Sequence, residues 1–260
     1  MKTLLICHED ATLDRDGMAR WLASFSELTG VIVLREKGGR KLKRVRREIE
    51  RVGVLRFLDV TAFRFYYKMF LAKTDASWEN EKIEELRRTY ADFSAPVLIT
   101  HSPNSKEAEE FIKTQKPDIM IARCKVILNK RIFSLSAIGT FVMHPGICPE
   151  YRNAHGCFWA LSRGDFEKVG MTLLKVDAGV DTGKIYGFYS YPFDSKNESH
   201  VRIQTRVVLD NLPQLEIKLK EIAGGNAATI DVAGRASGVW GHPWLTRYLA
   251  WKRRARRTGK

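Results

Sequence analysis

The chain has 260 residues, 44% of them hydrophobic, which is enough for one large domain with a substantial core. No run approaches the roughly 20 apolar residues of a membrane span, and the N-terminal residues turn acidic too early for a secretory signal, so a cytoplasmic address is expected. Four scattered cysteines without Cys-x-x-Cys spacing favour reduced thiols over a zinc site or a disulfide framework, and no metal site is predicted.

The net charge of +14 is concentrated in two segments. Residues 35–51 contain nine Lys or Arg against three Glu, and residues 251–260 contain six Lys or Arg and no acid. So localised an excess indicates a surface that meets anions, such as a phosphorylated sugar, nucleic acid or acidic lipid headgroups. A solvated helix face and a frayed tail explain each segment equally well.

Strands and helices alternate along most of the chain. Strands are predicted at 2–7, 31–34, 95–100, 117–123, 140–143, 170–176 and 184–191, and helices at 13–28, 78–90, 105–114, 129–136, 158–163 and 201–222. This rhythm predicts an α/β fold with a mostly parallel, twisted sheet and helices on both faces. The loop after the first strand lacks Gly-x-Gly-x-x-Gly, so a dinucleotide site is not supported. His8 in that loop either touches a ligand or is an ordinary loop histidine.

A helical segment at 52–73, apolar almost all round, interrupts the rhythm. Such a helix is buried in the fold, covered by another chain, or laid on a membrane surface with its cations reaching headgroups. Asp59 and the lack of a clean polar face favour packing within the fold or a homodimer over membrane contact.

The C-terminal stretch is turn-rich up to residues 240–251, where Pro243 suits the first turn of a helix. Trp244, Tyr248 and Trp251 share one side of that helix, beside the basic end. Either the helix docks on the fold with a solvated tail, or these aromatic and basic groups clamp a phosphate-bearing or lipid-linked ligand.

Two polar motifs each follow a predicted strand: His144-Pro-Gly-Ile-Cys-Pro149-Glu-Tyr-Arg, and Asp177-Ala-Gly-Val-Asp181-Thr-Gly183. A histidine and a carboxylate from two such loops can meet. The motifs and their order resemble the signature of the folate-dependent formyltransferase family, which includes glycinamide ribonucleotide, methionyl-tRNA and sugar N-formyltransferases. The resemblance is specific over about 117–191 and faint before residue 73. It implies a Rossmann-like formyltransferase fold, 10-formyltetrahydrofolate as formyl donor and no metal.

The resemblance divides the chain into a catalytic domain at 1–195, with a helical insertion at about 38–90, and a mainly helical C-terminal extension with a basic tail at 196–260. It implies that His144 donates to the developing oxyanion or takes part in proton transfer, while Asp181 holds the imidazole or receives the proton through water. Side chains or backbone expected at the donor site are Ala122, Arg123, Cys124, Lys125, Val142, Asp177 and Gly179, with Asp177 more plausible as a turn-stabilising carboxylate. Those expected at the acceptor are His8, Arg152 and His155.

Two positions depart from the family pattern. Val142 stands where the family has an asparagine two residues before the histidine, and loss of one oxyanion donor typically costs about 10²–10³ in rate. Asn153, in the following loop, is the hypothesised replacement. Leu174 stands where many relatives carry a histidine. These departures leave a formyltetrahydrofolate hydrolase and a non-catalytic binding protein open as alternatives.

An amino sugar on a nucleotide or on a lipid-linked glycan precursor is the favoured acceptor, by elimination and analogy. The C-terminal stretch is shorter than the RNA-binding domain of the tRNA enzyme, which argues against nucleic acid as a partner. The expected partner is therefore a small anionic amine; a homodimer and peripheral membrane contact stay open.

Overall fold

The computed structural model describes residues 1–36, 49–50 and 52–258, so most of the basic segment 35–51 and the last two residues lie outside it. The strands are β1 Lys2–His8, β2 Glu27–Leu34, β3 Val97–Thr100, β4 Ile119–Arg123, β5 Gly139–His144, β6 Arg152–Asn153, β7 Met171–Lys175, β8 Ile185–Tyr189 and β9 Val239–Trp240. The helices are α1 Ala19–Phe25, α2 Val54–Phe70, α3 Ala72–Thr89, α4 Lys106–Gln115, α5 Lys130–Phe133, α6 Gly156–Arg163, α7 His200–Leu209, α8 Leu212–Ala223 and α9 Leu245–Thr258.

Seven strands form one sheet in the order β3-β2-β1-β4-β5-β7-β8. The first five are parallel to their neighbours, whereas β7 and β8 pair antiparallel. The strand order reverses between β1 and β4, and in open α/β sheets ligands bind beyond the carboxyl ends of the strands at such a reversal. The predicted mostly parallel sheet is confirmed.

Side chains alternate along the buried strands, so the sheet packs against helices on both faces. On one face, Leu5 and Val33 belong to a large cluster that also contains residues of α1, α3, α6, α7, α8 and α9. On the other face, Leu4 and Ile32 belong to a smaller cluster with residues of α4 and α5. The predicted two-sided covering of the sheet is therefore present.

The prediction of one helix over 13–28 was wrong at both ends. A π-helical turn at Leu13–Met18 precedes α1, and the chain turns extended at Ser26, where φ is −140°. Leu28 pairs with Thr3 in β2 instead of continuing the helix. Leu28 would be buried equally well in a helix or in a strand. The spacing of the apolar residues therefore did not identify where the helix ends.

The helix predicted within 52–73 exists as α2, but packing within the fold holds for one side only. Val60 and Phe63 are buried, and most of the other apolar side chains of α2 face solvent. Among the described residues, no helix combines the length and apolar character that crossing a membrane requires.

The C-terminal stretch packs into the same core as the sheet. Ile203 of α7, Leu215 of α8 and Trp251 of α9 are fully buried in the large cluster. Pro243 lies before the first residue of α9, whereas it was predicted in the first helical turn. Lys252 anchors α9 by donating to the carbonyl oxygens of Ser195 and Glu198, at 3.0 and 2.6 Å.

Candidate active site

Polar side chains gather at the carboxyl edge of the parallel strands. β1 ends at His8, β4 at Arg123 and β5 at His144. Because these strands are parallel neighbours, their last residues lie along one edge, next to the reversal of strand order.

His144 is the buried centre of this edge, with 5% of its surface exposed. Its Nε2 lies 2.8 Å from the carbonyl oxygen of Tyr151, and since a carbonyl only accepts, Nε2 carries a proton. Its Nδ1 lies 3.5 Å from Oδ2 of Asp181. The structure thus brings together the histidine and the carboxylate that the two sequence motifs supply.

Asp181 is held by a tight turn after β7. Its backbone has φ of 52°, and its Oδ2 accepts the backbone N–H of Asn153 at 2.7 Å. Within the turn, Oδ1 of Asp177 accepts from the N–H of Gly179 at 2.9 Å and the hydroxyl of Thr182 at 2.7 Å. The carboxylate of Asp177 therefore stabilises the turn, and the turn aims Asp181 at the histidine.

Thr172 fastens the loop that follows His144. It lies opposite His144 in the β5–β7 pair and is fully buried. Its hydroxyl donates to the carbonyl oxygen of Gly146 at 2.7 Å and accepts the N–H of Cys148 at 3.0 Å. A Cβ on Gly146 would come within 2.8 Å of Nε2 of His144, so only glycine leaves the imidazole in place.

Asn153 links the site loop to the end of the chain. It adopts a left-handed backbone with φ of 77°, and its side-chain nitrogen donates to the carbonyl oxygen of Trp240 at 2.5 Å. This contact belongs to a two-stranded pair between β6 and β9 that the sequence did not predict. One N–H of the Asn153 amide is engaged there, and the other is available for a ligand.

Aromatic rings reinforce this pairing. Trp240 stacks on Trp159 and on Tyr151, with ring centroids 4.8 and 5.7 Å apart. Arg235 also forms a two-pronged ion pair with Glu150 of the loop, at 3.0 and 2.7 Å. The C-terminal stretch is therefore the outer wall of the site loop.

Arg123 and Asp14 form a largely buried ion pair beside His144. The guanidinium lies 2.8 Å from the Asp14 carboxylate and donates to the carbonyl oxygen of Met143 at 3.1 Å. Asp14 was not singled out from the sequence, because a lone carboxylate at the start of a helix is ordinary. Of the other residues predicted at the donor site, Ala122 is buried, and Val142 and Cys124 pack partly buried against the same small cluster.

His8 is tied to the loop after β4. Its Nε2 accepts the N–H of Lys125 at 3.0 Å, so the ring proton of the neutral form lies on Nδ1. Burial, together with the Lys125 charge, lowers the pKa of His8. The neutral His8 ring therefore holds the loop after β4 by accepting the hydrogen bond from Lys125.

Two residues predicted at the acceptor carry unsatisfied buried nitrogens. Arg152 donates from Nη1 to the carbonyl oxygen of Val180 at 3.1 Å, while its buried Nε has no hydrogen-bond partner among the described residues. Nδ1 of His155 is buried as well, and the side chain of Gln204 is the polar group that approaches this ring. Burial, with smaller contributions from His242 and Lys125, lowers the pKa of His155 to about 3, so this ring is neutral.

A family model described as formyl transferase matches residues 72–211, more than half of the chain. The chain belongs to the formyl transferase family. The resemblance that the two motifs carry is thereby confirmed. The match spans α3 to α7 and includes both motifs, whereas α2 lies before it and β9 and α9 lie after it.

Curated relatives match this chain over only part of their own length. Methionyl-tRNA formyltransferase of Chlorobium limicola is 32% identical over 101 residues, which cover 38% of this chain and 31% of that protein. The enzyme of the same name from Dehalococcoides mccartyi is 38% identical over 93 residues, covering 34% of this chain and 30% of that protein. The matched stretches thus span about a third of these relatives.

Solved structures share the fold over nearly the whole chain. A sugar N-formyltransferase from a Shewanella species matches with a TM-score of 0.57 and 13% identity, over 98% of this chain and 88% of that one. A phosphoribosylglycinamide formyltransferase from Bacillus halodurans matches with a TM-score of 0.52 and 13% identity, over 85% and 95%. At such identity, the likeness establishes the architecture alone, and the predicted formyltransferase fold is confirmed.

Proposed function

We propose that this chain transfers a formyl group from 10-formyltetrahydrofolate to the primary amine of an amino sugar, carried on a nucleotide or on a lipid-linked glycan precursor. The observation that carries the proposal is the approach of His144 Nδ1 to Asp181 Oδ2, 3.5 Å apart at the carboxyl edge of the sheet, in a chain of the formyl transferase family.

The proposed chemistry follows from the two contacts of the imidazole. The acceptor amine attacks the formyl carbon; a new C–N bond forms, and the bond to the donor's nitrogen breaks. As the formyl oxygen gains charge, the Nε2–H of His144 would turn from the Tyr151 carbonyl to donate to that oxygen. A second proton on Nδ1, 3.5 Å from the Asp181 carboxylate that stabilises it, would make the ring a cation and strengthen this donation. The proton lost by the amine passes through Asp181 and water to the departing nitrogen.

The edges of the site fit a folate. Ile127, in the segment after β4, is 67% exposed, and Val180, in the Asp181 turn, is 37% exposed. Apolar side chains held open beside a polar centre suit a flat ring system. Ala122 to Lys125, Val142 and the turn from Asp177 to Gly179 would hold this co-substrate, which supplies the activated formyl group.

The acceptor is assigned an anionic character on the strength of Arg152 and His155. Nε of Arg152 and Nδ1 of His155 are themselves shielded from solvent, so they indicate a polar lining and are not the atoms that a ligand would contact. Both residues are half-buried overall, and phosphate or sugar oxygens would accept from the open part of the Arg152 guanidinium, while a sugar hydroxyl would bond to the open part of the His155 ring. His8, already bonded to Lys125, contributes shape on this side.

One assay tests this function. The protein is incubated with 10-formyltetrahydrofolate alone, with nucleotide-linked amino sugars, or with methionyl-tRNA, while tetrahydrofolate, formate and formylated product are measured. We expect tetrahydrofolate and formyl-sugar in equal amounts, dependent on the sugar. Formate released without an acceptor would show a hydrolase instead, and folate binding without any product would show the non-catalytic protein that Val142 motivates. Formylation of methionyl-tRNA alone would overturn the acceptor, and absence of any formyl folate turnover or binding would overturn the donor.

A further inference from the structure

Helix α2 carries an exposed apolar stripe. Leu55, Leu58, Ala62, Phe65 and Met69 follow one another at spacings of three and four residues, which places them on one side of the helix. Leu55 is 84% exposed and Phe65 is 66% exposed. A stripe of this size, open to water, marks a surface that another body covers.

The cations of α2 point to the nature of that body. Arg56, Arg64 and Lys68 are exposed on the same helix. Asp59 is the single acid between residues 54 and 70, and it is engaged: it accepts from the N–H of Thr246 at 3.0 Å and from its hydroxyl at 2.5 Å. The carboxylate thus caps the start of α9, and the exposed charge of α2 is uniformly positive.

A cavity of about 460 Å³ adjoins the stripe, between α2 and α9. The guanidinium groups of Arg56 and Arg247 lie 5.3 and 5.9 Å from the ring of Trp244, which lines the cavity together with Leu55. Two guanidinium groups around an amphipathic indole suit the level of phosphate headgroups at a membrane surface.

We propose that α2 and the Arg56–Trp244–Arg247 cavity form a docking face for an anionic membrane surface. A second copy of this chain fits less well, because a two-fold contact along α2 would oppose cations with cations and would offer no acid in return. Anionic lipid neutralises the same charges. The cations of α9 add attraction of about fivefold in affinity for each residue that reaches the surface. This docking does not depend on formyl transfer.

Sedimentation of the full chain with vesicles, without folate or acceptor, tests the proposal. Vesicles are made of phosphatidylcholine alone or of phosphatidylcholine mixed with phosphatidylglycerol. We expect binding to the mixed vesicles, weakened by salt, and little binding to phosphatidylcholine. The double substitution Leu58→Ser and Phe65→Ser should weaken binding by at least about tenfold. Arg56→Gln with Arg247→Gln should weaken it about twentyfold or more.

Matched controls separate docking from general stickiness. Ile217→Ser on α8 removes an apolar side chain that is 58% exposed. Lys106→Gln with Lys130→Gln removes two exposed cations on the helices of the opposite sheet face. Both controls should bind like the unmodified protein. Because the unmodified protein carries the main comparison, failure of a variant to fold leaves the test intact.

Three outcomes overturn the proposal. The first is that the unmodified protein binds neither vesicle, or binds both equally. The second is that the unmodified protein does not bind vesicles but forms a concentration-dependent dimer, and that Leu58→Ser with Phe65→Ser makes this dimer dissociate. That result would assign the stripe to a second copy of the chain. The third is that inorganic phosphate, at a concentration equal to that of the lipid phosphate, displaces the protein from the vesicles. That result would assign the cavity to a small anion.

Discussion

Val142 and Leu174 lie directly opposite each other across the antiparallel pair of β5 and β7. These are the two positions at which the chain departs from the polar residues of its family. Their apolar side chains are therefore cross-strand neighbours on one face of the sheet. Val142 also lies two residues before His144 in β5, so both departures lie beside the site.

Restoring the amide at Val142 should raise the rate of formyl transfer. Val142 is partly buried, so Val142→Asn can direct an amide toward the site edge without full desolvation. An added oxyanion donor is worth up to about 10² in kcat. Steady-state kinetics with the proposed amino-sugar acceptor measure the effect, and Val142→Leu, which is close to asparagine in size but has no hydrogen-bond donor, should show no gain. An unchanged kcat for Val142→Asn would mean that another group already serves the oxyanion.

Asn153 is the proposed group of that kind, and its backbone offers a control. Asn153→Ala and Asn153→Gly both remove the amide, but only glycine adopts φ of 77° without strain. If the amide serves the oxyanion, both variants should lose about 10² in kcat. Recovery of activity in Asn153→Gly alone would instead assign the loss in Asn153→Ala to backbone strain.

Asp181→Asn should separate charge from position. The asparagine side chain keeps an oxygen that accepts from the N–H of Asn153, so the loop persists, but it cannot stabilise an imidazolium. We expect kcat to fall by about 10² or more with little change in KM, as for loss of an interaction made in the transition state. A rise in KM with kcat unchanged would instead assign Asp181 to ligand binding. His144→Asn, measured beside it, should lose as much.

Thr172→Val should destabilise the loop that follows the histidine. The substitution keeps the shape but removes the bonds to Gly146 and Cys148, and leaves two buried backbone groups unpaired. The free energy of unfolding should fall by about 2–4 kcal/mol, measured by urea denaturation, and kcat should fall with it. Thr172→Ser, which keeps the hydroxyl, should retain most of both.

Acid should destabilise the protein through its buried histidines. Burial lowers the pKa of His200 well below its ordinary value, and that of His155 to about 3. As pH falls below about 6.5, these histidines become protonated in the unfolded chain but stay neutral in the folded protein. Each therefore lowers the free energy of unfolding by about 1.4 kcal/mol per pH unit. His200→Phe should reduce the slope of unfolding free energy against pH by the contribution of one histidine, whereas replacement of the exposed His101 by Gln should leave this slope unchanged. An unaltered slope in His200→Phe would contradict this account.

The sheet was predictable because its strands are short apolar runs separated by polar turns. Ile119 to Ala122 could only be a buried strand, and the structure places it at the centre of the sheet. The end of α1 was not predictable, since Leu28 is buried equally well in either conformation. The exposure of α2 was also missed, because an apolar composition does not say which partner covers it.

The meeting of His144 with Asp181 was predictable from two motifs that each follow a strand. The contribution of Thr172 was not, because a threonine within a strand carries no sign that its hydroxyl faces a loop. The pairing of Asn153 with Trp240 was likewise hidden: two residues in a Gly-rich stretch are too short a run to mark a strand.

That pairing sets an order of events during synthesis. The side chain of Asn153 can form this bond only after Trp240, 87 positions further along the chain, has been synthesised. At the usual pace of translation, the ribosome adds those residues in roughly 4–17 s. In the later part of that interval, after Asp181 has been added, the nascent chain carries both halves of the histidine and carboxylate pair but lacks the strand that braces Asn153, whose backbone N–H donates to Asp181. The loop that holds Asp181 is therefore braced only after residue 240 has been added, well after the histidine and the carboxylate are both present.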